Sequence, residues 1–360
     1  MTSRSTRCSP SSSRASSRCS VSRGNPVETA PHVLVIGTGS IGERHTRCFL
    51  TTGRAEVSIC ETNDEVRSRV QDLYDLRAAH ADLDTALSNP SGPPDIAVIC
   101  TPAHLHVGMA TRLLEAGIAV LCEKPLSTSL EGTRRLAELA RADTARFSMA
   151  YVHRAHPLHI AVREQLQSGQ LGRPLEVIMV SGQHFPHYRP AYREIYYTDR
   201  ATGGGVIQDG LTHMVNLVEW LVGPMTRVAA DCDHLRLEGV EIEDSVHAIA
   251  RHGDVMVGYT LNQHQAPNES TLVVICERGT IKVETHRNRW QLVTAPDTPW
   301  TDHTIQPLQR DDVFISQAHC FLDYVAGKRP PLCPFDEGLQ TLRGNLAIMT
   351  AADTATWQDV

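Results

Sequence analysis

No run of apolar residues in this chain approaches the roughly twenty that a bilayer-spanning helix requires, so no membrane partner is expected. Paired cysteines are missing as well. The ten cysteines stand singly, without a C-x-x-C pair, and Cys60, Cys100, Cys122 and Cys276 fall inside apolar, strand-like runs. That distribution argues against a disulfide framework and fits buried, reduced thiols in a soluble, cytoplasmic protein. The eighteen histidines form neither HExxH nor a zinc-finger spacing with cysteine, so no metal is expected. No internal repeat is visible. Residues 1 to 30 have almost no large apolar side chains and cannot bury enough surface to offset the entropy of ordering. They read as a disordered tail with the composition of an organellar transit peptide, without the apolar core of a secretory signal. A true start near Val27 is equally economical.

What is present begins with length and charge. A chain of 360 residues accommodates two domains with separate cores. The formal charge is -7, and the tail carries five arginines against the single Glu28, so the rest of the chain carries -11. A body that acidic is a poor partner for nucleic acid.

From Val33, short apolar runs alternate with helical stretches: Val33 to Ile36, Ala55 to Cys60, Asp95 to Cys100, Ile118 to Cys122 and Phe147 to Val152, with helices between them. Strands that are apolar throughout are buried on both faces, as in a parallel sheet covered by helices. The expectation is a doubly wound α/β domain over residues 31–152. An α+β domain over 153–335 follows, in which a helix near Leu158 to Gln167 and another from about Val206 to Val222 lead into an antiparallel meander. Helices are also expected over Val313 to Ala326 and Gly338 to Ala352, and residues 336–360 should pack back on the body.

Gly37-Thr38-Gly39-Ser40-Ile41-Gly42 ends the first strand and opens a helix. There the loop amides can face a pyrophosphate, and Gly39 allows close backbone approach. This is a Rossmann-type dinucleotide turn. Glu61 ends the second strand, nineteen positions after Gly42, where a carboxylate can bond both ribose hydroxyls and repel a 2′-phosphate, so NAD is expected over NADP. Thr101-Pro102 ends a third strand, at the sheet edge where such folds bind ligand, and leads to His104 and His106. His104 is expected to cap or coat its helix, while His106 faces the crevice or does the same. Glu123-Lys124-Pro125 ends another strand at that edge, and the Lys124 ammonium could stabilise alkoxide character on a substrate oxygen. After the loop Gly203-Gly204-Gly205, Asp209 and His213 stand four apart on a helix face. They could be half a metal site, a surface pair, or a proton-transferring histidine with an aspartate that orients substrate or ring.

This ordered set resembles the Gfo/Idh/MocA oxidoreductase family from Val33 to the last helix. The resemblance implies a Rossmann domain, and a second domain whose open, mostly antiparallel sheet makes homodimer or homotetramer contacts through its outer face. It implies Lys124, Asp209 and His213 as the catalytic trio, and sugars, inositols or their nucleotide or amino derivatives as substrates. Ala103 departs from it, since the family often has asparagine there. The stretch from Gln183 to Arg193 is rich in arginine and aromatic residues. Arg189, Tyr192 and Arg193 could clasp an anionic group or stack on a sugar, or could pack an edge or interface; Tyr151, Arg154 and His156, at the end of the last Rossmann strand, lie where they could also touch substrate. The expected activity is NAD-dependent dehydrogenation of a CH-OH group. Redox-neutral, NAD-dependent glycoside cleavage and a non-catalytic, ligand-sensing regulator remain the alternatives.

Overall fold

The computed structural model describes residues 30–90, 92–142 and 146–360. The expectation of a disordered tail concerns residues that, apart from Ala30, lie outside that description. The body from Pro31 to Val360 is a single compact unit.

Its first half runs β1 (His32–Ile36), α1 (Ser40–Thr51), β2 (Glu56–Cys60), α2 (Asp64–Leu73), β3 (Ala78–His80), α3 (Leu83–Leu87), β4 (Ile96–Ile99), α4 (His106–Glu115), β5 (Ala119–Cys122), α5 (Thr133–Ala140) and β6 (Phe147–Met149). The strands form a six-stranded sheet in the order β3-β2-β1-β4-β5-β6, every pair parallel. The order reverses between β1 and β4, which opens a crevice at the strand carboxyl ends. Val33, Val35, Ile59 and Val98 face one helical layer while Leu34, Ile36, Ile99 and Val120 face the other. That double burial is why these strands read as unbroken apolar runs. Three-residue β3 and five-residue α3 carried too little pattern to be read from sequence.

The second half continues with α6 (Pro157–Gln167), β7 (Pro174–Gly182), α7 (Phe185–Tyr188), α8 (Thr212–Val222), β8 (Arg227–Asp233), β9 (Ser245–His252), β10 (Val255–Asn262), β11 (Glu269–Cys276), β12 (Gly279–Glu284), β13 (Arg289–Val293), β14 (Thr301–Thr304), α9 (Asp312–Val325), α10 (Phe335–Thr354) and β15 (Gln358–Asp359). Its nine strands lie in the order β14-β13-β12-β11-β7-β10-β9-β8-β15. The expected meander is interrupted because β7 inserts between β10 and β11 and runs parallel to β10, so the sheet is mixed though mostly antiparallel. One face is buried under α6, α8 and α10 through Leu158, Val162, Val215, Val218 and Ile348. The other leaves Ile178, Val180, Ile249 and Met256 exposed, the one-sided burial usual for antiparallel sheets.

Two helices sit differently from the expected division. Ala318, Phe321 and Leu322 of α9 share a core with Val33, Val35 and Phe49, so this helix covers the first sheet rather than belonging to the second. Helix α10 joins both halves: Phe335, Leu339 and Leu342 pack with the first sheet, and Ala347 and Ile348 with the second. After it, β15 pairs with β8, so the C-terminal segment packs back as a helix plus a short strand.

Candidate active site

The carboxyl ends of β1, β2, β4, β5 and β6 open into a cleft of about 900 Å³, roofed by residues from α8 and the segment following β7. At its start Gly37 adopts a positive φ of 81°, and a Cβ on Gly42 would collide with the Gly37 carbonyl oxygen, so both glycines are needed for α1 to begin against the strand. Gly39 is different. A Cβ there would meet nothing within 4 Å and would only intrude on the cleft, at a helix start whose amides suit phosphate. These residues fit a dinucleotide.

Thr38 is fully buried and donates its backbone N–H to Glu61 Oε2 at 2.7 Å, while Asn63 N donates to Oε1 at 2.9 Å. The Glu61 carboxylate thus faces the cleft and also ties the glycine loop to the end of β2. Ser40 and Ile41 line the cleft, as do Thr101 and Pro102. His106 is buried with Nδ1 2.9 Å from Pro125 O and Nε2 2.8 Å from Thr101 O, so it fastens two cleft-lining turns together and does not face a ligand. His104 is exposed, and Ala103 lines the cleft with its side chain buried.

The turn after β5 carries the strongest charge chemistry. Glu123 is buried, its Oε1 2.7 Å from His45 Nε2, and Oε2 accepts the Lys124 backbone N–H at 3.0 Å. Burial pushes its carboxyl up, but the His45 hydrogen bond and the charges of His45 and Lys124 prevail and hold it below the ordinary value. Lys124 Nζ donates to the Asp209 carbonyl at 2.7 Å and to Asp209 Oδ1 at 3.0 Å, and Tyr196 Oη donates to the same Oδ1 at 2.8 Å. An ammonium has three donors, so one remains for a ligand. Burial raises the Asp209 carboxyl, yet Lys124 and the Tyr196 hydrogen bond outweigh it and the group stays depressed. Burial, with Asp209 alongside, drives the Tyr196 phenol well above its usual range.

Asp209 lies in a π-helical turn, Ile207–Leu211, that precedes α8; such turns recur at functional sites. Its carboxylate goes to Lys124 and Tyr196 and makes no hydrogen bond to His213, so of the two expectations, orienting substrate or orienting the ring, the second is not met. His213 lines the cleft. Its Nδ1 is buried without a partner, which leaves Nε2 as the nitrogen presented. Burial, then the charges of Lys124, His153 and Arg189, lower its pKa well below 6.5, so the imidazole is neutral at neutral pH.

The structure brings Lys124, Asp209, His213 and Arg189 to one cleft, and takes five other expected substrate contacts away from it. Tyr151 is buried behind His213, its hydroxyl 2.9 Å from Thr212 Oγ1 and its ring edge-on to the imidazole at 6.0 Å. Arg154 is 1% exposed and bonds Asn216 Oδ1 at 2.7 Å, Leu332 O at 3.1 Å and the carboxylate of Glu337, pinning α8 to α10. Tyr192 is fully buried in a small core with Phe185, Tyr197 and Leu237, its hydroxyl bonded to Glu238 O at 2.6 Å. Arg193 bonds the same carbonyl and stacks over the Tyr192 ring. His156 caps α6 by accepting the Leu158 N–H.

Sequence reasoning missed Tyr196, His45, His153 and Arg44, all at or beside the cleft. His45 had a signal, three residues past Gly42 on the inward face of α1. Tyr196 had none, because the 3-10 turns around it follow no period. Among the described residues no group of three or more His, Cys, Asp or Glu side chains could hold a metal, and no helix is long and apolar enough to cross a membrane.

Residues 32–151 match the model of an oxidoreductase family with an NAD-binding Rossmann fold, and residues 159–282 match that of the GFO/IDH/MocA C-terminal domain. The chain is 32% identical over 192 residues to inositol 2-dehydrogenase of Pseudomonas syringae pv. syringae, across 52% of this chain and 53% of that relative. It is 31% identical to dTDP-3,4-didehydro-2,6-dideoxy-alpha-D-glucose 3-reductase of Saccharopolyspora spinosa, across 56% and 60%. The matches therefore span little more than half the length of these relatives. Among solved structures, levoglucosan dehydrogenase in complex with NADH and levoglucosan superposes with a TM-score of 0.80 at 20% identity, across 92% of this chain and 99% of that one, a likeness of fold. The WlbA dehydrogenase of Bordetella pertussis in complex with NADH and UDP-GlcNAcA gives 0.76 at 25% identity, across 91% and 98%. With both family models matched in order along one continuous body, the chain belongs to the Gfo/Idh/MocA oxidoreductase family.

Proposed function

We propose that the protein is an NAD-dependent dehydrogenase that oxidises a carbinol carbon of a sugar, an inositol or a close derivative. The observation that carries the reading is the convergence of Lys124 Nζ, the Asp209 carboxylate and a neutral His213 on the cleft that the glycine turn opens. NAD, when bound, supplies the hydride acceptor. His213 Nε2 takes the proton of the substrate hydroxyl, which a neutral imidazole can do and an imidazolium cannot. The free N–H of Lys124 stabilises the negative charge that grows on that oxygen. Asp209 holds the ammonium through two hydrogen bonds, and a third, donated by Tyr196, fixes the Asp209 carboxylate before substrate arrives. In the reverse direction the same imidazole returns the proton.

The Glu61 carboxylate supports NAD over NADP, because a 2′-phosphate at the end of β2 would meet its charge. The exposed Ile178, Val180, Ile249 and Met256 support a homo-oligomer formed through the outer face of the nine-stranded sheet, and light scattering on the purified protein tests it. The unpaired cysteines among the described residues suit the cytoplasm. The test of the activity is a panel of sugars, inositols and nucleotide sugars with NAD, read by NADH absorbance. Net NADH from at least one member is expected. Turnover of a glycoside without net NADH would favour the redox-neutral alternative, and NADH binding with no turnover of any member would favour a sensor.

A further inference from the structure

Three histidines line the cleft: His153, His159 and His213. They stand in series, with ring centroids 5.2 Å apart between His213 and His153 and again between His153 and His159. His159 serves the fold. Its Nδ1 donates to His153 O at 3.0 Å, and its Nε2 lies 3.4 Å from Thr285 Oγ1. His153, in the turn Val152–Ala155 after β6, is different: its Nδ1 is buried without a partner, and its Nε2 has no hydrogen bond among the described residues. With Nδ1 enclosed, Nε2 is the nitrogen turned to the cleft. Burial, then the charges of His156 and Lys124, lower its pKa to about 4, so a neutral imidazole stands beside the neutral His213.

The wall beyond these rings carries no charge. Every side chain that the nine-stranded sheet and its strand ends give to the cleft is neutral, and the polar ones are Ser181, Gln183, Gln263, Asn268, Ser270 and Thr285. This wall adjoins the histidines: Thr285 meets His159, the Thr271–Glu284 pairing sets Ser270 next to Thr285, and Ser181 pairs with Ser270 across β7 and β11. Ser181 Oγ donates to Glu269 O, and Gln263 Oε1 accepts the Tyr197 hydroxyl. The Gln263 amide N–H, the Gln183 side chain and the Ser270 hydroxyl have no partner among the described residues. Amides, hydroxyls and a neutral imidazole both donate and accept, as a sugar hydroxyl does, and they offer an acid no opposite charge.

Resting on the proposed dehydrogenase reading, we propose that His153 is a specificity-determining residue whose Nε2 hydrogen-bonds a hydroxyl on the carbon next to the one oxidised, so that the preferred substrates are neutral polyols with adjacent hydroxyls. The two imidazoles lie side by side on one cleft, so a molecule that gives one hydroxyl to His213 brings the neighbouring hydroxyl to His153. The hydroxyls farther from the reacting carbon fall on the neutral wall. A substrate that lacks the neighbouring hydroxyl leaves the His153 nitrogen unpaired in a site it has closed to water, which is the usual way a polar site rejects a deoxy analogue.

A cycle between residue and hydroxyl tests this, with glucose, myo-inositol and the monodeoxy analogues of each given to the wild type, His153→Ala and His153→Gln. In the wild type, loss of one hydroxyl flanking the oxidised carbon is expected to lower kcat/KM about ten- to a hundredfold. His153→Ala should lower kcat/KM for the parent polyol by a similar factor and leave that one analogue nearly unchanged, with NADH affinity held. His153→Gln keeps a donor and an acceptor and should restore part of the difference. Glucuronate and glucose 6-phosphate should do no better than glucose. A loss in His153→Ala that is equal for the parent and every analogue would overturn the proposal, by placing the residue in the fold or in proton transfer. No loss at all, a preference of about tenfold for either acid, or failure of the enzyme–NADH complex to bind both glucose and myo-inositol would overturn it as well. Calorimetric titration of that complex keeps the readings apart. The same coupling in binding, without NADH formation from any member of the wider panel, retains this contact and removes the dehydrogenase, whereas NADH formation without coupling does the reverse.

Discussion

Two cationic side chains from neighbouring turns meet opposite fates. Lys124, after β5, and Arg154, after β6, both reach across to the second half of the protein and both find a carboxylate. Lys124 pairs with Asp209 beside a cleft and keeps a donor for whatever enters it. Arg154 is sealed: three partners on α8, α10 and the chain between α9 and α10 surround it, and Trp220 lies against it. A buried ion pair is therefore ambiguous by itself. Access to an opening separates a pair that does chemistry from one that fixes geometry, and access is a property of packing.

The comparison breaks most visibly if the two residues exchange phenotypes. Lys124→Ala and His213→Ala are each expected to lower kcat by about 10² to 10⁴, the usual contribution of a positioned proton carrier or charge stabiliser. NADH affinity by fluorescence titration should be nearly unchanged, because neither residue lies in the glycine turn. The two losses should not add, since both act on one oxygen. Near-wild-type turnover of a saturating substrate in both variants would remove the mechanism.

Arg154→Ala should do the opposite. Removing it leaves Asn216 Oδ1 buried without its partner and strips one from Glu337 and from Leu332 O, a loss of roughly 3 kcal/mol by urea denaturation. The folded fraction should retain its kcat. A stable variant with a collapsed kcat would return Arg154 to the substrate site.

This contrast also marks what was legible in the sequence. The glycine turn, Glu61, Thr101 and Lys124 stand at strand ends, and in a doubly wound sheet every strand carboxyl end points to the same edge, so apolar periodicity alone located them. Asp209 and His213 stood out because a glycine loop preceded a helix carrying both. Arg154, Tyr151 and Tyr192 have the right chemistry in the right neighbourhood, but the chain does not say which way they face. The carboxylate that captures Arg154 lies 183 positions away on α10. Tyr196 and Arg44 were invisible for the same reason: what places them is a turn geometry or a contact with Phe314. The insertion of β7 beside β10 was hidden because strand pairing across a long gap leaves no local trace.

The histidines repeat the comparison and give it a pH signature. His213 opens to the cleft, while His156 and His252 are buried away from it, their pKa values lowered by burial from 6.5 to about 4. The unfolded chain protonates both near 6.5 and the folded chain only near 4. The unfolded state thus binds more protons in that window, and stability is full above it and falls as pH drops through it. The expected slope is at most about 1.4 kcal/mol per pH unit for each group. Denaturation midpoints should show this loss with His213→Ala unchanged in the His156 and His252 contribution. His213 should instead govern the rate: its lowered pKa keeps oxidation active at pH 6.5, with the acidic limb below that value, and His213→Ala should flatten the limb. A limb that persists in that variant would assign the proton to another group.

The smallest effect concerns Glu61, which belongs to both categories at once, since it lines the cleft and also accepts hydrogen bonds from Thr38 N and Asn63 N. Glu61→Ala confounds the two roles, because the loop loses its acceptor together with the charge. Glu61→Gln comes closer to separating them, because an amide oxygen can still accept from Thr38 N, leaving only the exposed Asn63 N–H to solvent, while the repulsion toward a 2′-phosphate is gone. The expected outcome is a shift of about tenfold, roughly 1.4 kcal/mol, in the ratio of NAD to NADP specificity, with the melting temperature held. Glu61→Ala should show a similar shift together with weaker binding of both cofactors. An unchanged ratio in Glu61→Gln would mean that the carboxylate serves the glycine loop alone and that cofactor choice is made elsewhere in the cleft.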